Sequence, residues 1–151
     1  MDNEINGQDQ SGIWISSGST PTLRTNEIEY NRGPGIEIMD EGTALIVGNT
    51  IERNEFGGVT ISIGATATLR SNKITENFDA AITIRLDAGG IFEGNDLRGN
   101  EFGPTTDTKA PSQSVKAQAK WSAATILNRP CRISRLTPRS TIPCVRSEVL
   151  R

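Results

Sequence analysis

Histidine is absent from this chain, and cysteine, aromatic residues and long apolar runs are scarce. None of the 151 residues is His, 2 are Cys and 5% are aromatic. The lack of histidine removes the side chain that most often transfers protons in enzymes, and two cysteines without histidine cannot complete a four-ligand zinc site. No apolar run is long enough to span a bilayer, so we expect no membrane partner. Hydrophobic residues make up only 34% of the chain, which is low for a globular domain.

A repeat with a period of 23 residues is the dominant feature that the sequence does contain. Residues 49–71 and 72–94 align without a gap, and the same step continues in both directions. Isoleucine and valine alternate with polar residues in each repeat, which predicts short strands with one buried face. Self-similarity at one fixed period indicates a solenoid. Its columns are Asn3, Asn26, Asn49, Asn72 and Asn95; Ile5, Ile28, Ile51, Ile74 and Leu97; Gln8, Asn31, Asn54, Asn77 and Asn100; and Gly12, Gly35, Gly58 and Ala81.

The length of the repeat fits one turn of three short strands. Stacking such turns at a spacing of about 4.8 Å pairs each strand with its copy in the next turn, in parallel. One turn cannot bury its own apolar face, whereas several stacked turns bury a continuous core. The sequence therefore predicts an all-β parallel β-helix of about 4.5 turns. These turns are residues 3–25, 26–48, 49–71 and 72–94, with a partial turn at 95–104.

One asparagine column is predicted to form a hydrogen-bonded ladder inside the solenoid. A side-chain amide has two donors and an acceptor, so stacked copies can bond one another and the nearby backbone. A column that only formed turns would accept Gly, Asp or Ser in some copies, and none of the five copies has one. The predicted ladder consists of Asn26, Asn49, Asn72 and Asn95.

The pattern Asn-x-Ile-x-x-Asn-x-x-x-Gly-Ile-x-Ile resembles a known repeat over residues 1–104. It is similar to the right-handed parallel β-helix repeat of the pectate-lyase-like superfamily. More narrowly, it resembles repeats of carbohydrate-binding and sugar-hydrolysing domains and of F-box-type β-helix proteins. The resemblance implies a right-handed solenoid, in agreement with the general handedness of parallel crossovers. It implies no particular activity, because the repeat carries no catalytic signature.

Outward positions on the strand after the glycine column are the candidate ligand-binding residues. In the enzymes that the repeat resembles, this sheet and its flanking turns form the substrate groove. An exposed Trp14 beside Glu37 is suited to stack on a sugar ring and to accept hydrogen bonds from its hydroxyls. The alternative is that Trp14 covers an end of the solenoid and Glu37 is a solvated charge. The predicted site consists of Trp14, Glu37, Thr60, Thr83 and Arg85.

No catalytic residue and no cofactor are predicted, and calcium is the one ion considered. Lyases of the superfamily that the repeat resembles hold calcium with clustered aspartates beside an Arg or Lys base. Here Asp40, Glu41 and Asp87 occupy equivalent turns with Gly64 between them, and Arg85 is near. Calcium takes six to eight oxygen ligands, and two turns separated by glycine supply too few.

Charge divides the chain into two unlike parts. Residues 1–104 contain 7 Lys and Arg against 16 Asp and Glu, whereas residues 105–151 contain 9 against 2. We expect a linker after residue 104 and a disordered basic tail. Within this part, Val115–Leu127 can form a short helix, and docking over the last turn as a cap is one role open to it. The tail arginines are scattered without aromatic residues between them, which argues against a nucleic-acid partner. Cys131 and Cys144 are either free thiols or, in an oxidising compartment, a disulfide.

Three functions remain open on this sequence. The first is a non-catalytic module whose outer face recognises carbohydrate or protein, and the second is part of a polysaccharide lyase or hydrolase with incomplete catalytic residues. The third is a structural spacer in a surface protein. Repeats begin at once without an N-terminal cap, so we expect a fragment of a larger protein, and open strand edges predict end-to-end self-association. No signal-peptide pattern is present, and the compartment stays open.

Overall fold

The protein is described by a computed structural model that covers residues 2–62, 64–85, 87–106 and 120–121. The described residues form fourteen β-strands and no helix. Within these ranges, therefore, nothing helical has the length and apolar character needed to cross a membrane.

The strands form three parallel sheets, named A, B and C in the order in which each turn visits them. Sheet A contains β1 (Glu4–Asn6), β4 (Glu27–Glu29), β7 (Thr50–Glu52) and β10 (Lys73–Thr75). Sheet B contains β2 (Ile13–Ile15), β5 (Ile36–Ile38), β8 (Val59–Ile61), β11 (Ile82–Ile84) and β13 (Thr105–Thr106). Sheet C contains β3 (Thr22–Arg24), β6 (Thr43–Val47), β9 (Thr66–Arg70), β12 (Gly89–Glu93) and β14 (Lys120–Trp121).

The strand register confirms the predicted all-β solenoid of about four turns. Ile28 pairs with Ile5 on one side and with Ile51 on the other, so each residue meets its own counterpart one repeat away. The step of 23 residues holds from β1 through β12. Beyond β12 the step changes, because Thr83 pairs with Thr105 and Phe92 pairs with Trp121. Sheet B is thus continued by a step one residue shorter, and sheet C by one that is six residues longer.

The core is a narrow column of β-branched and small side chains. The inward residues of sheet A, such as Ile28, Ile51 and Ile74, are fully buried, as are Ile46 and Leu69 on sheet C. Within the described residues, the core has one aromatic ring, that of Phe92. A Cβ on Gly90 would overlap the carbonyl oxygen of Ala67 and would lie 3.0 Å from this ring, so glycine is needed against the backbone first and the ring second.

Each member of the glycine column faces both the branched methyl group of an isoleucine and a backbone carbonyl oxygen in the next turn, so a side chain has no room there. A Cβ on Gly12 would lie 2.8 Å from Cγ2 of Ile28, and one on Gly35 would lie 2.5 Å from Cγ2 of Ile51. One turn further, a Cβ on Gly58 would overlap Cγ2 of Ile74. In the turn after that, the isoleucine is replaced by Leu97 and the glycine by Ala81. Leucine carries no methyl group on its Cβ, so the position below it accepts a side chain.

The helix predicted over Val115–Leu127 is wrong for the two residues of that segment that the structure describes. Lys120 and Trp121 form strand β14 and pair with Ile91 and Phe92. A strand satisfies the N–H and C=O groups on the open edge of β12, which a helix cannot do. The rest of that segment, the basic tail and both cysteines lie outside the described residues.

Candidate functional site

Four of the five predicted ligand-binding residues lie in one column of sheet B along the solenoid. Trp14 pairs with Glu37, Glu37 with Thr60, and Thr60 with Thr83, in parallel register. Arg85 belongs to the adjacent column, where its backbone N–H donates to the carbonyl of Ile61. The prediction that four outward positions share a row is therefore confirmed, whereas their role in binding stays a prediction.

The predicted ligand-binding residues differ in their access to solvent. The side chain of Trp14 is 64% exposed and Arg85 is exposed, whereas Thr60 is only 5% exposed. Thr60 lies between Glu37 and Thr83, and its short side chain leaves little surface between these neighbours. A ligand on this face would therefore contact the two ends of the column more than its centre.

Glu37 is held in place by a neighbouring turn. The hydroxyl of Ser11 donates a hydrogen bond to Oε2 of Glu37 at 2.6 Å. The carboxylate retains lone pairs for a second donor, and Trp14 is its register partner. An indole ring and an oriented acceptor are hence neighbours at the first two turns of sheet B.

The described residues contain no group of three or more acidic or cysteine side chains placed to hold a metal ion. Asp40 and Glu41 lie in the turn after β5 with left-handed backbone, at φ of 51° and 62°. Asp87 has φ of 58° in the equivalent turn two repeats later, and Gly64 lies between them. The structure thus places these acids in turn positions, and the prediction that no cofactor is held here stays a prediction.

Two asparagine ladders run through the solenoid, one more than was predicted. In the first ladder, Nδ2 of Asn26 donates to Oδ1 of Asn49 at 2.9 Å, and Asn49 donates to Asn72 at 3.1 Å. The same oxygen of Asn49 also accepts from the backbone N–H of Asn26. Asn72 continues the ladder to Asn95 at 2.9 Å, which confirms the predicted set. The second ladder consists of Asn31, Asn54, Asn77 and Asn100, with amide contacts of 2.8–3.0 Å.

A network of charged side chains crosses the outer face of sheet A. Arg53 contacts carboxylates of three successive turns, namely Glu29 at 3.5 Å, Glu52 at 2.8 Å and Glu76 at 3.0 Å. Nζ of Lys73 lies 2.6 Å from the second oxygen of Glu52, a residue that is only 5% exposed. The hydrogen bond from Lys73 and the two positive charges hold the pKa of Glu52 below its usual value, although burial opposes this. The network joins successive turns to one another, and its charged side chains are already paired with each other.

Aromatic side chains lie mainly on the surface, as sequence reasoning expected for Trp14 but not for the others. Of the six aromatic side chains that the structure describes, only Phe92 is buried. Trp14 lies on sheet B, and the other four lie at the corner between sheets A and B, on four successive turns. We name these four residues the corner ridge: Tyr30, Phe56, Phe78 and Phe102, which are 56%, 63%, 64% and 54% exposed. The sequence did contain a signal for their exposure, because none of these four residues falls in an apolar column of the repeat.

Comparison with known proteins agrees with this architecture. A family model described as a right handed beta helix region matches residues 1–113, which confirms the predicted handedness. A solved structure of a periplasmic alginate epimerase, in a double-mutant form, is similar with a TM-score of 0.62 and 17% sequence identity. The likeness covers 76% of this chain and 29% of that chain, so this chain spans less than a third of the epimerase. At this identity the likeness shows the fold alone. No curated protein matches the chain.

Proposed function

Since the chain belongs to the right-handed β-helix family, we propose that it is a non-catalytic module that recognises carbohydrate on its outer face. The observation that carries the proposal is the pairing of an exposed indole with an oriented carboxylate. Trp14 offers an open ring face and lies in register with Glu37, whose orientation is set by Ser11. Stacking by an aromatic ring and hydrogen bonding by a fixed acceptor are the two contacts that a pyranose ring needs.

The inward surface supports a scaffold role rather than chemistry. Inward positions are committed to the apolar column and to the two ladders, and within the described residues no buried side-chain polar atom lacks a hydrogen-bond partner. The buried acid Glu52 is paired with Lys73 and Arg53. The parts of the described surface that remain available for a ligand are therefore the outward faces and corners.

A glycan array probed with the full chain tests the proposal. We expect binding to a defined set of polysaccharides, and we expect Trp14→Ala to abolish most of it because the stacking surface is removed. The matched control is Ile91→Ala, which removes an exposed apolar side chain from sheet C, where 40% of the residue is accessible. Absence of binding to every glycan, or equal loss in both variants, would contradict the proposal.

The second candidate is part of a polysaccharide lyase or hydrolase whose catalytic residues lie partly outside this chain. The observation in its favour is that exposed Arg85 is followed by Asp87 in the turn after β11. Release of unsaturated uronides or of reducing ends from polysaccharide, by this chain together with the segment that supplies the missing residues, would support it. A protein that binds glycans without altering them favours the recognition module.

A further inference from the structure

We propose that the corner ridge is a binding site for a neutral, hydroxyl-rich polysaccharide that lies along the solenoid axis. This inference rests on the proposed carbohydrate recognition and names both a second surface and the class of ligand. It differs from the sheet B column, because the ridge lies on the turns that precede sheet B.

The rings are spaced along the solenoid axis. Tyr30, Phe56, Phe78 and Phe102 belong to successive turns, and successive turns are about 4.8 Å apart. The backbone N–H of Phe78 donates to Asn54 of the preceding turn, and that of Phe102 donates to Asp79. The ridge therefore extends about 14 Å along the axis, which suits an extended chain of several sugar units better than a single one.

The ridge exposes apolar rings, although the chain has few aromatic residues. Each of the three phenylalanines in the ridge is more than half exposed, whereas Phe92 in the core is fully buried. The rings lie at the same corner of neighbouring turns, and exposed apolar surface of this size marks an interaction site. Flat ring faces of this kind bind the apolar faces of pyranose rings and require no charge on the ligand.

Negatively charged side chains lie next to the rings of the ridge. The ridge sequence alternates rings with acids, as Glu55-Phe56, Phe78-Asp79 and Glu101-Phe102. Neither Glu55, Asp79 nor Glu101 is ion-paired with a described residue. Ionised carboxylates only accept hydrogen bonds, so they suit sugar hydroxyl donors, and like charge would repel a polymer of uronic acids. The geometry thus favours a neutral glycan over an anionic one.

Isothermal titration calorimetry with the full chain tests the site, with cellobiose, cellohexaose and hexagalacturonate as probes. We expect cellohexaose to bind more tightly than cellobiose, because only the longer chain covers several rings, and hexagalacturonate to bind more weakly than cellohexaose. Phe56→Ala and Phe78→Ala should each weaken cellohexaose binding about tenfold. Ile91→Ala on sheet C is the matched control and should leave it unchanged.

A second variant separates the charge argument from the stacking argument. The double variant Glu55→Gln with Glu101→Gln keeps all rings. We expect it to reduce the difference in binding affinity between cellohexaose and hexagalacturonate, because two negative charges are removed. Circular dichroism of every variant shows that the solenoid is intact. The assignment of a neutral ligand is overturned if the double variant leaves the ratio of the two dissociation constants unchanged. It is also overturned if the unaltered chain binds hexagalacturonate more tightly than cellohexaose.

The remaining outcomes distinguish the ridge from the proposed function. If cellohexaose binding is lost in Trp14→Ala and unchanged in both phenylalanine variants, carbohydrate recognition stands and the ridge proposal is overturned. If no glycan binds the chain, both proposals fall. If the phenylalanine variants instead change the molar mass in light scattering without any glycan effect, the ridge is a protein interface and the proposal is overturned.

Discussion

At the scale of single residues, the asparagine columns carry the strongest local constraint. Asn54 is fully buried, and its Oδ1 accepts from both the backbone N–H and the side-chain amide of Asn31. Its own amide donates to the carbonyls of Ile28 and Glu52 and to Oδ1 of Asn77. One side chain thus satisfies polar groups of three turns, and no other residue type has the same donors and acceptors in this shape.

Replacing this residue should be among the most damaging changes in the solenoid. Asn54→Ala leaves several buried donors and acceptors without partners, and we expect a loss of about 4 kcal/mol in the free energy of unfolding. Asn6→Ala removes an exposed asparagine and is the control, with an expected change within about 0.5 kcal/mol. Urea denaturation followed by circular dichroism measures both. Similar losses in the two variants would contradict the role given to the ladder.

The glycine column predicts a coupled pair of substitutions. Gly58→Ala places a methyl group against Cγ2 of Ile74, and overpacking of this kind costs about 1–3 kcal/mol. Ile74→Leu removes that branch and copies the Ala81 and Leu97 pair of the next turn. We expect the double variant to be about 1 kcal/mol more stable than the sum of the two single changes implies. Strict additivity in a double-mutant cycle of urea denaturation would show that the two side chains do not meet.

At the scale of elements, sheet A differs from the other two sheets by its outer face. Arg53 joins Glu29, Glu52 and Glu76, and its guanidinium carbon lies 5.6 Å from the ring centroid of Tyr30. Partly exposed ion pairs contribute little individually, but these link three turns through one side chain. The buried partner Glu52 makes the face sensitive to pH.

The pH dependence of this network has a definite sign. The hydrogen bond from Lys73 lowers the pKa of Glu52 in the folded state, so the ionised form stabilises the fold. This contribution is present above the unfolded value of 4.5 and is lost as the pH falls through the folded pKa. We expect thermal stability to decrease below about pH 4.5, and Glu52→Gln to show a smaller decrease over the same range. An equal decrease of the melting temperature with falling pH in both proteins would contradict the role given to Glu52.

At the scale of the whole molecule, each turn is stabilised mainly by its two neighbours. The outer edges of β1, β2 and β3 have no partner among the described strands, whereas β7 and β8 are paired on both sides. Stability in such stacks is close to a sum of turn and interface contributions, so the ends open before the centre. The open edges are also where the predicted end-to-end association would occur; it stays a prediction.

Hydrogen exchange should reveal this gradient along the axis. We expect the slowest amide exchange in β7 and β8 and clearly faster exchange in β1 and β2, because terminal strands need to separate from only one neighbour. Mass spectrometry of peptic peptides measures the difference in exchange rate. Repeating the measurement at lower protein concentration shows whether association of chains contributes to the protection. Equal protection from the first turn to the third would mean that the open end is covered in solution.

The sequence alone determined the fold, because the side chains that build it recur at one interval. Once Asn and Ile return every 23 residues, only stacked turns bring each to its counterpart, so strands, register and first ladder follow from spacing. The second ladder was visible as a column, but its bonding emerged only from the coordinates. The period breaks after residue 104, and there the prediction of a helix at Lys120 and Trp121 was wrong.

Only the tertiary structure decided what the surface offers. Whether Thr60 is accessible depends on the side chains that flank it in neighbouring turns, which no local pattern reports. The corner ridge joins Tyr30, Phe56 and Phe78, which occupy three different positions in their repeats, with Phe102, which shares the position of Phe56, so the ridge is not one column. Inward positions repeat because every turn must pack against the same core, whereas outward positions face solvent and are free to differ. The fold is consequently readable from spacing, and the site only from the assembled solenoid.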